Sequence, residues 1–232
     1  MSILGTLSHV TIVHQDRWSY LSALFAFIST FSNEHKPHYP QSSIIKDLMW
    51  WSNKLTQMNF ARPLSPWGVT QYLGIWVDTS SSWGISIIIG NEWDTWTWNS
   101  PWHYEGWDIG WAEAVAVELI TQILFKRGLS NASILVRGDN QGVVGSYGHG
   151  HGQNFHINLA IRWTEVIRTS SNVLYIIKAE QGRSYFSWWV RILCKADHWL
   201  HSAPQEASTL PSSCLAHQYF NLHWPMSTWT PM

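Results

Sequence analysis

A chain of 232 residues with 45% apolar and only 12% charged side chains, against a usual charged share of roughly 25%, can bury one sizeable core and excludes a disordered acidic or basic tail. A net charge of -1 with histidine neutral excludes bulk charge as a cause of nucleic-acid binding, which would need a local patch. Two cysteines without metal-type spacing, Cys194 and Cys214, exclude a disulfide framework.

Residues 1–58 carry helical periodicity. Leu21, Leu24, Phe25 and Ile28 recur at i, i+3, i+4 and i+7, and "SSIIKDLMWWSNKL" repeats the pattern after Pro40. The most apolar helical stretch, "LSALFAFISTF", is too short and too hydroxylated to span a bilayer, and no charged n-region precedes an apolar run at the N-terminus. A soluble intracellular protein, cytoplasmic or nuclear, without membrane partners is expected, so the sequon Asn131-Ala132-Ser133 is read as incidental.

"NFARPLSPWGVT" (59–70), with two prolines and a glycine, reads as a linker. Three strands follow near 71–78, 83–90 and 93–98. Gly110 precedes a long helical pattern, "WAEAVAVELITQILFKRG", that ends at Gly128. Then come a strand "SILVRGD" (133–139), a Gly-rich segment, a helix "NFHINLAIRWTEVIR" (154–168) and a strand "NVLYIIKA" (172–179). The order β-β-β-α-β-α-β predicts an α/β fold with a mixed five-stranded sheet flanked by helices and an N-terminal helical extension. A right-handed crossover through the long helix makes the 133–139 strand parallel to an earlier one. If that neighbour is the 71–78 strand, Asp78 and Asp139 meet at adjacent strand ends.

Three carboxylates stand out. Alone, Asp78 reads as a strand-ending turn residue in Asp-Thr-Ser-Ser-Ser, and Asp139 reads as a helix cap. Glu113 shares a helix face with Ala116, Val117, Ile120 and Leu124, the face that should pack on the sheet. Glu118 lies about 140° away by the helical period and is expected to be the solvated acid. An acid on the buried stripe beside two strand-end aspartates is better explained by a bound cation than by coincidence. Carboxylate oxygens suit Mg²⁺ or Mn²⁺, and two such ions about 4 Å apart can clamp the attacking water and the leaving oxygen of a phosphodiester.

"LGIWVDTSSSWGISIIIG", "WAEAVAVELI" and "ILVRGDNQGVVGSYGHG" resemble the ribonuclease H domain of retroelement reverse transcriptase polyproteins, in a form frequent in fungal genomes. The likeness covers roughly residues 2–180. "ILGTLSHVTIVHQDRWSYLSALFAFIS" with "IIKDLMWWSNKL" looks like the segment joining polymerase thumb to ribonuclease H. The resemblance implies an RNase H-like domain over 71–202, behind a connection-like extension (1–58) and the linker (59–70), with an irregular tail over 203–232. It implies divalent-metal-dependent cleavage of the RNA strand of RNA–DNA hybrids, with Asp78, Glu113 and Asp139 as catalytic metal ligands. A polymerase domain is an implied partner, although the sequence holds no palm with paired aspartates.

The family's fourth acid follows the last strand closely in an Asn-x-x-Ala-Asp-x-x-Ser-Arg-like run. Here Ala196-Asp197 comes only after the aromatic-rich "EQGRSYFSWWVRILCK". Two readings stand: Asp197 is the matching residue displaced by an insertion, or the chain leaves the family pattern after residue 180; Glu180 is the fallback ligand. Asn140 and Gln141 are expected near a substrate sugar. Asn154 and Asn158 match family asparagines, beside their plain readings as cap and solvated face. "GHGHG" offers His149 and His151 as ligands, but the flanking glycines read better as a mobile turn.

The 18 Trp and 12 His beside 14 Lys plus Arg fit an eroded element copy, since CpG-containing arginine codons become Trp, His or Gln codons by single transitions. Lost arginines mean fewer phosphate contacts. A catalytically inactive remnant that binds nucleic acid or a protein partner is therefore the rival reading. A strand-transfer integrase is disfavoured, because its last acid usually comes from a late helix whereas Glu113 lies between the two aspartates.

Overall fold

The computed structural model describes residues 3–13, 15–31, 37–57, 69–82, 84–98 and 108–179. Cys194, Cys214, Glu180, Asp197 and the tail lie outside them, as does most of the linker.

Strands β1 (Thr70–Thr79), β2 (Gly84–Ile89) and β3 (Glu92–Thr97) form an antiparallel meander. Strands β4 (Ser133–Gly138) and β5 (Leu174–Ala179) add in parallel on the other side of β1, giving the order β3-β2-β1-β4-β5. The expected mixed five-stranded α/β sheet, flanked by helices and preceded by a helical extension, is present. Period-2 alternation sends Ile75, Val77, Ile85, Ile87, Ile134 and Val136 into one core. Gly84 tolerates no side chain, because a Cβ there would stand 1.8 Å from the Trp96 carbonyl oxygen. Gly74, at φ +66, takes up the irregularity in the β1–β4 register between Gln71 and Ile75.

Helix α4 (Ile109–Lys126) lies across this sheet. It begins two residues earlier than the glycine suggested, because Asp108 Oδ1 accepts from the Trp111 N–H at 2.8 Å and caps it. Every residue from Trp111 to Leu124 is buried. The reason is that β1 and β2 cover one side of α4 while helix α6 (Phe155–Ser171) covers the other. The expectation that Glu118 is solvated is therefore incorrect. It is fully buried and accepts from Gln122 Nε2 at 3.0 Å.

The Gly-rich segment after Asp139 forms helix α5 (Gln141–His149). Asn140 caps its start and Gly150, left-handed at φ 74, ends it. The Tyr147 hydroxyl ties α5 to its neighbours, donating to the Ala114 carbonyl at 3.0 Å and standing 3.2 Å from Thr164 Oγ1.

The extension comprises α1 (Ile3–Val13), a 3-10 segment (Gln15–Leu21), α2 (Ser22–Ser29) and α3 (Ser42–Leu55). It has its own small core of Leu7, Tyr20, Leu21 and Trp51. It is fastened to α6 by Arg162, whose guanidinium makes a two-pronged ion pair with Asp47 at 2.8 and 3.0 Å and lies over the Tyr20 ring, 4.4 Å from its centroid. Burial outweighs the attraction of Arg162 and raises the Asp47 carboxyl above its ordinary value. Among the described residues, no helix is long and apolar enough to cross a membrane.

Candidate active site

The parallel pairing of β1 and β4 aligns Ile75 with Val136 and Trp76 with Arg137. Carried two residues further, it sets Asp78 beside Asp139 at the carboxyl ends of neighbouring strands. The close approach is visible at Gly138, where a Cβ would touch Val77 Cγ2 at 3.6 Å. Asp78 is half-buried and accepts the Thr79 N–H at 2.8 Å, as a strand-ending turn residue does. Asp139 follows β4 directly and is exposed.

Glu113 comes to the same place from above. It sits just over one turn into α4 with only 8% of its surface exposed. Burial pushes its carboxyl up to about 8, and the charges of Asp139 and then Asp78 add to the shift. The Glu113 and Asp139 side chains also share a hydrogen bond, which raises Glu113 further, while a hydrogen bond from Asn140 works in the opposite direction. A helix residue, a strand-end residue and a post-strand residue are thereby electrostatically one group.

The donor chemistry fits a hard divalent cation, since all three groups are carboxylates whose mutual repulsion a cation would relieve. The fit is of chemistry rather than of a finished cage. Among the described residues no three His, Cys, Asp or Glu side chains stand in ready coordination geometry.

Asn140 is placed at this cluster. Its Oδ1 accepts from the Val143 N–H at 3.2 Å to cap α5, which leaves its amide to serve Glu113. The first turn of α4 packs against this head, since a Cβ on Gly110 would lie 4.0 Å from Asn140 Nδ2. Gln141 opens α5 and is exposed. Asn154 caps α6 through the His156 N–H at 2.8 Å. Asn158 is not on a solvated face: it is buried and clamps Gly152 by two reciprocal hydrogen bonds of 2.8 and 2.9 Å.

The histidines of "GHGHG" do not join the carboxylates in a metal-binding group among the described residues. His149 ends α5, and His151 lies 5.4 Å from the Trp18 ring of the extension. Next to them the Ser19 N–H donates to the Gly150 carbonyl at 3.1 Å, so the turn is tied to the 3-10 segment. Burial, and then His149, hold His151 below its ordinary value. Sequence spacing alone gave no sign of the Asn140–Glu113 hydrogen bond, because the two residues belong to different elements. Comparison of the sequence with models of known protein families and with characterised proteins finds no match.

Proposed function

We propose that this chain is a ribonuclease H-type hydrolase from a retroelement reverse transcriptase, cutting the RNA strand of an RNA–DNA hybrid with Mg²⁺ or Mn²⁺. The observation that carries the reading is the convergence of Asp78, Glu113 and Asp139, where burial first, and then the charges of Asp139 and Asp78, push Glu113 up to about 8. A buried acid raised by burial and by two neighbouring carboxylates is characteristic of a functional site. The hybrid as substrate rests on the resemblance of the strand, helix and strand segments that carry these acids.

Bound divalent ions would supply an activated water and charge stabilisation at the leaving oxygen. The chain's own part is to hold the ligands. Glu113 is fixed by a helix buried on all sides, Asp78 and Asp139 by adjacent strands, and Asn140 orients Glu113 by hydrogen bonding. Recognition of the RNA strand would use its 2′-hydroxyls and backbone shape rather than base sequence.

One observation favours a second reading, a remnant that binds nucleic acid or a partner without turnover: the three acids do not form a ready metal cage among the described residues. Cleavage of a labelled RNA–DNA hybrid in Mg²⁺ and in Mn²⁺, beside Asp139→Asn, decides between them. RNA cutting lost in the variant supports the nuclease. No cutting by wild-type protein shown to be folded by circular dichroism supports the remnant.

A further inference from the structure

Two tryptophans that the metal chemistry does not use stand behind the carboxylates. On β3 the alternation of faces sends Trp96 into the main core, 1% exposed, and leaves Trp93 on the other side, 46% exposed. Trp98, two residues after Trp96, packs half-buried against the same core. Its indole N–H donates to the Ser80 carbonyl at 2.7 Å. Its ring stacks on that of Trp111, with centroids 6.2 Å apart and planes inclined by 27°.

Each end of this contact belongs to one carboxylate. Ser80 lies two residues beyond Asp78. The last ladder pair of β1 with β2 is Thr79–Ile85, so Asp78 stands one residue from the end of that pairing. Past it, the Ser80 N–H donates to the Gly84 carbonyl at 2.8 Å and the Ser80 carbonyl accepts from Trp98. Trp111 lies two residues before Glu113 in the first turn of α4, is 2% exposed, and has its N–H fixed by Asp108. An indole joins a wide flat face for stacking to an N–H at its rim, so one residue can hold both partners at once. A phenyl ring in its place could stack but not donate.

Neighbouring carboxylates repel until a cation lies between them. They serve that cation best when packing and hydrogen bonds behind them lock their positions. We propose that Trp98 is a positioning residue, whose indole braces the end of β1 against the first turn of α4 and so keeps Asp78 and Glu113 within reach of one divalent cation. The proposal deepens the nuclease reading and rests on it. Trp98 acts through Ser80 and Trp111 rather than as a ligand.

Mn²⁺ titration of the full chain, followed by electron paramagnetic resonance, tests the brace beside Trp98→Phe and Trp93→Phe, each shown to be folded by circular dichroism. Trp98→Phe keeps a ring against Trp111 and removes the donor. It should bind Mn²⁺ at least about tenfold more weakly than wild type, with Trp93→Phe within about twofold of it. Linkage is reciprocal, so a saturating ion must hold the brace closed by a matching factor. In the wild type, Mg²⁺ should therefore slow exchange of the Trp98 indole N–H at least about tenfold and that of Trp93 by less than about twofold. Folded Trp98→Phe that binds Mn²⁺ as wild type does overturns the proposal, as does an Mg²⁺ effect that is absent or equal at the two indoles. Wild-type protein that binds no Mn²⁺ overturns the nuclease reading itself, and the brace falls with it.

Discussion

Glu113 and Asp139 share a hydrogen bond between their carboxyl groups, and two carboxyls can share one only while one of them holds a proton. That proton belongs to Glu113, which is raised from its ordinary 4.5 to about 8. Between those values the folded protein binds more protons than the unfolded chain, so stability falls as pH rises. The contribution is fully present below about 4.5 and gone above about 8. Its size is at most on the order of 5 kcal/mol. Urea denaturation at pH 5 and pH 8 without divalent ions should show the wild type losing stability and Glu113→Gln losing much less.

Asp139→Asn should separate stability from activity. It removes one of two negative charges facing Glu113 and should raise the denaturation midpoint at pH 8. Hybrid cleavage should fall at least about 100-fold, the loss that removing even the outer partners of a metal ligand can cause. Thermal melts with and without Mg²⁺ provide the second readout. The ion should raise the wild-type midpoint clearly and that of the variant little.

Asn140→Ala breaks two things at once. Loss of the α5 cap should cost about 1 kcal/mol, read from urea curves at pH 5. Loss of the hydrogen bond to Glu113 removes the influence that lowers its pKa, so the pH at which stability falls should move upward. Asn154→Ala, which removes the α6 cap and is not among the groups that act on Glu113, should show the first effect without the second.

The adjacency of Asp78 and Asp139 was legible in the sequence because parallel strands of known order leave few registers, and strand ends are marked by Asp-Thr-Ser and Gly-Asp. Glu113 was legible through the helical period. The same period misplaced Glu118, since a single amphipathic stripe presumes one covered face and α4 has two. Helix α5 was hidden by Gly142, Gly145 and Gly148, although Asn140 and Gly150 supply both of its terminal signals. The pairing of Asp47 with Arg162 has no local signature at all, because it depends on how the extension docks.

That docking contact should be costly to break on one side only. Asp47→Leu or Arg162→Met leaves a buried partner group uncompensated and should cost about 3–5 kcal/mol, whereas Asp47→Leu with Arg162→Met together should be close to neutral. Denaturant midpoints of the four proteins form the cycle. Equal losses in the double and single variants would contradict the assignment of the cost to an unpaired buried charge.

The separation of Asp47 and Arg162 by 115 residues also bears on how the molecule is made. During synthesis the extension leaves the ribosome first, yet the surface that receives it does not exist until α6 has been added. At about 5–20 residues per second, Asp47 waits roughly 6–23 s for its arginine. Over that interval Leu21 and Trp51 have only the extension's own small core to shelter in, which makes the nascent N-terminal region the part of this chain most in need of a chaperone.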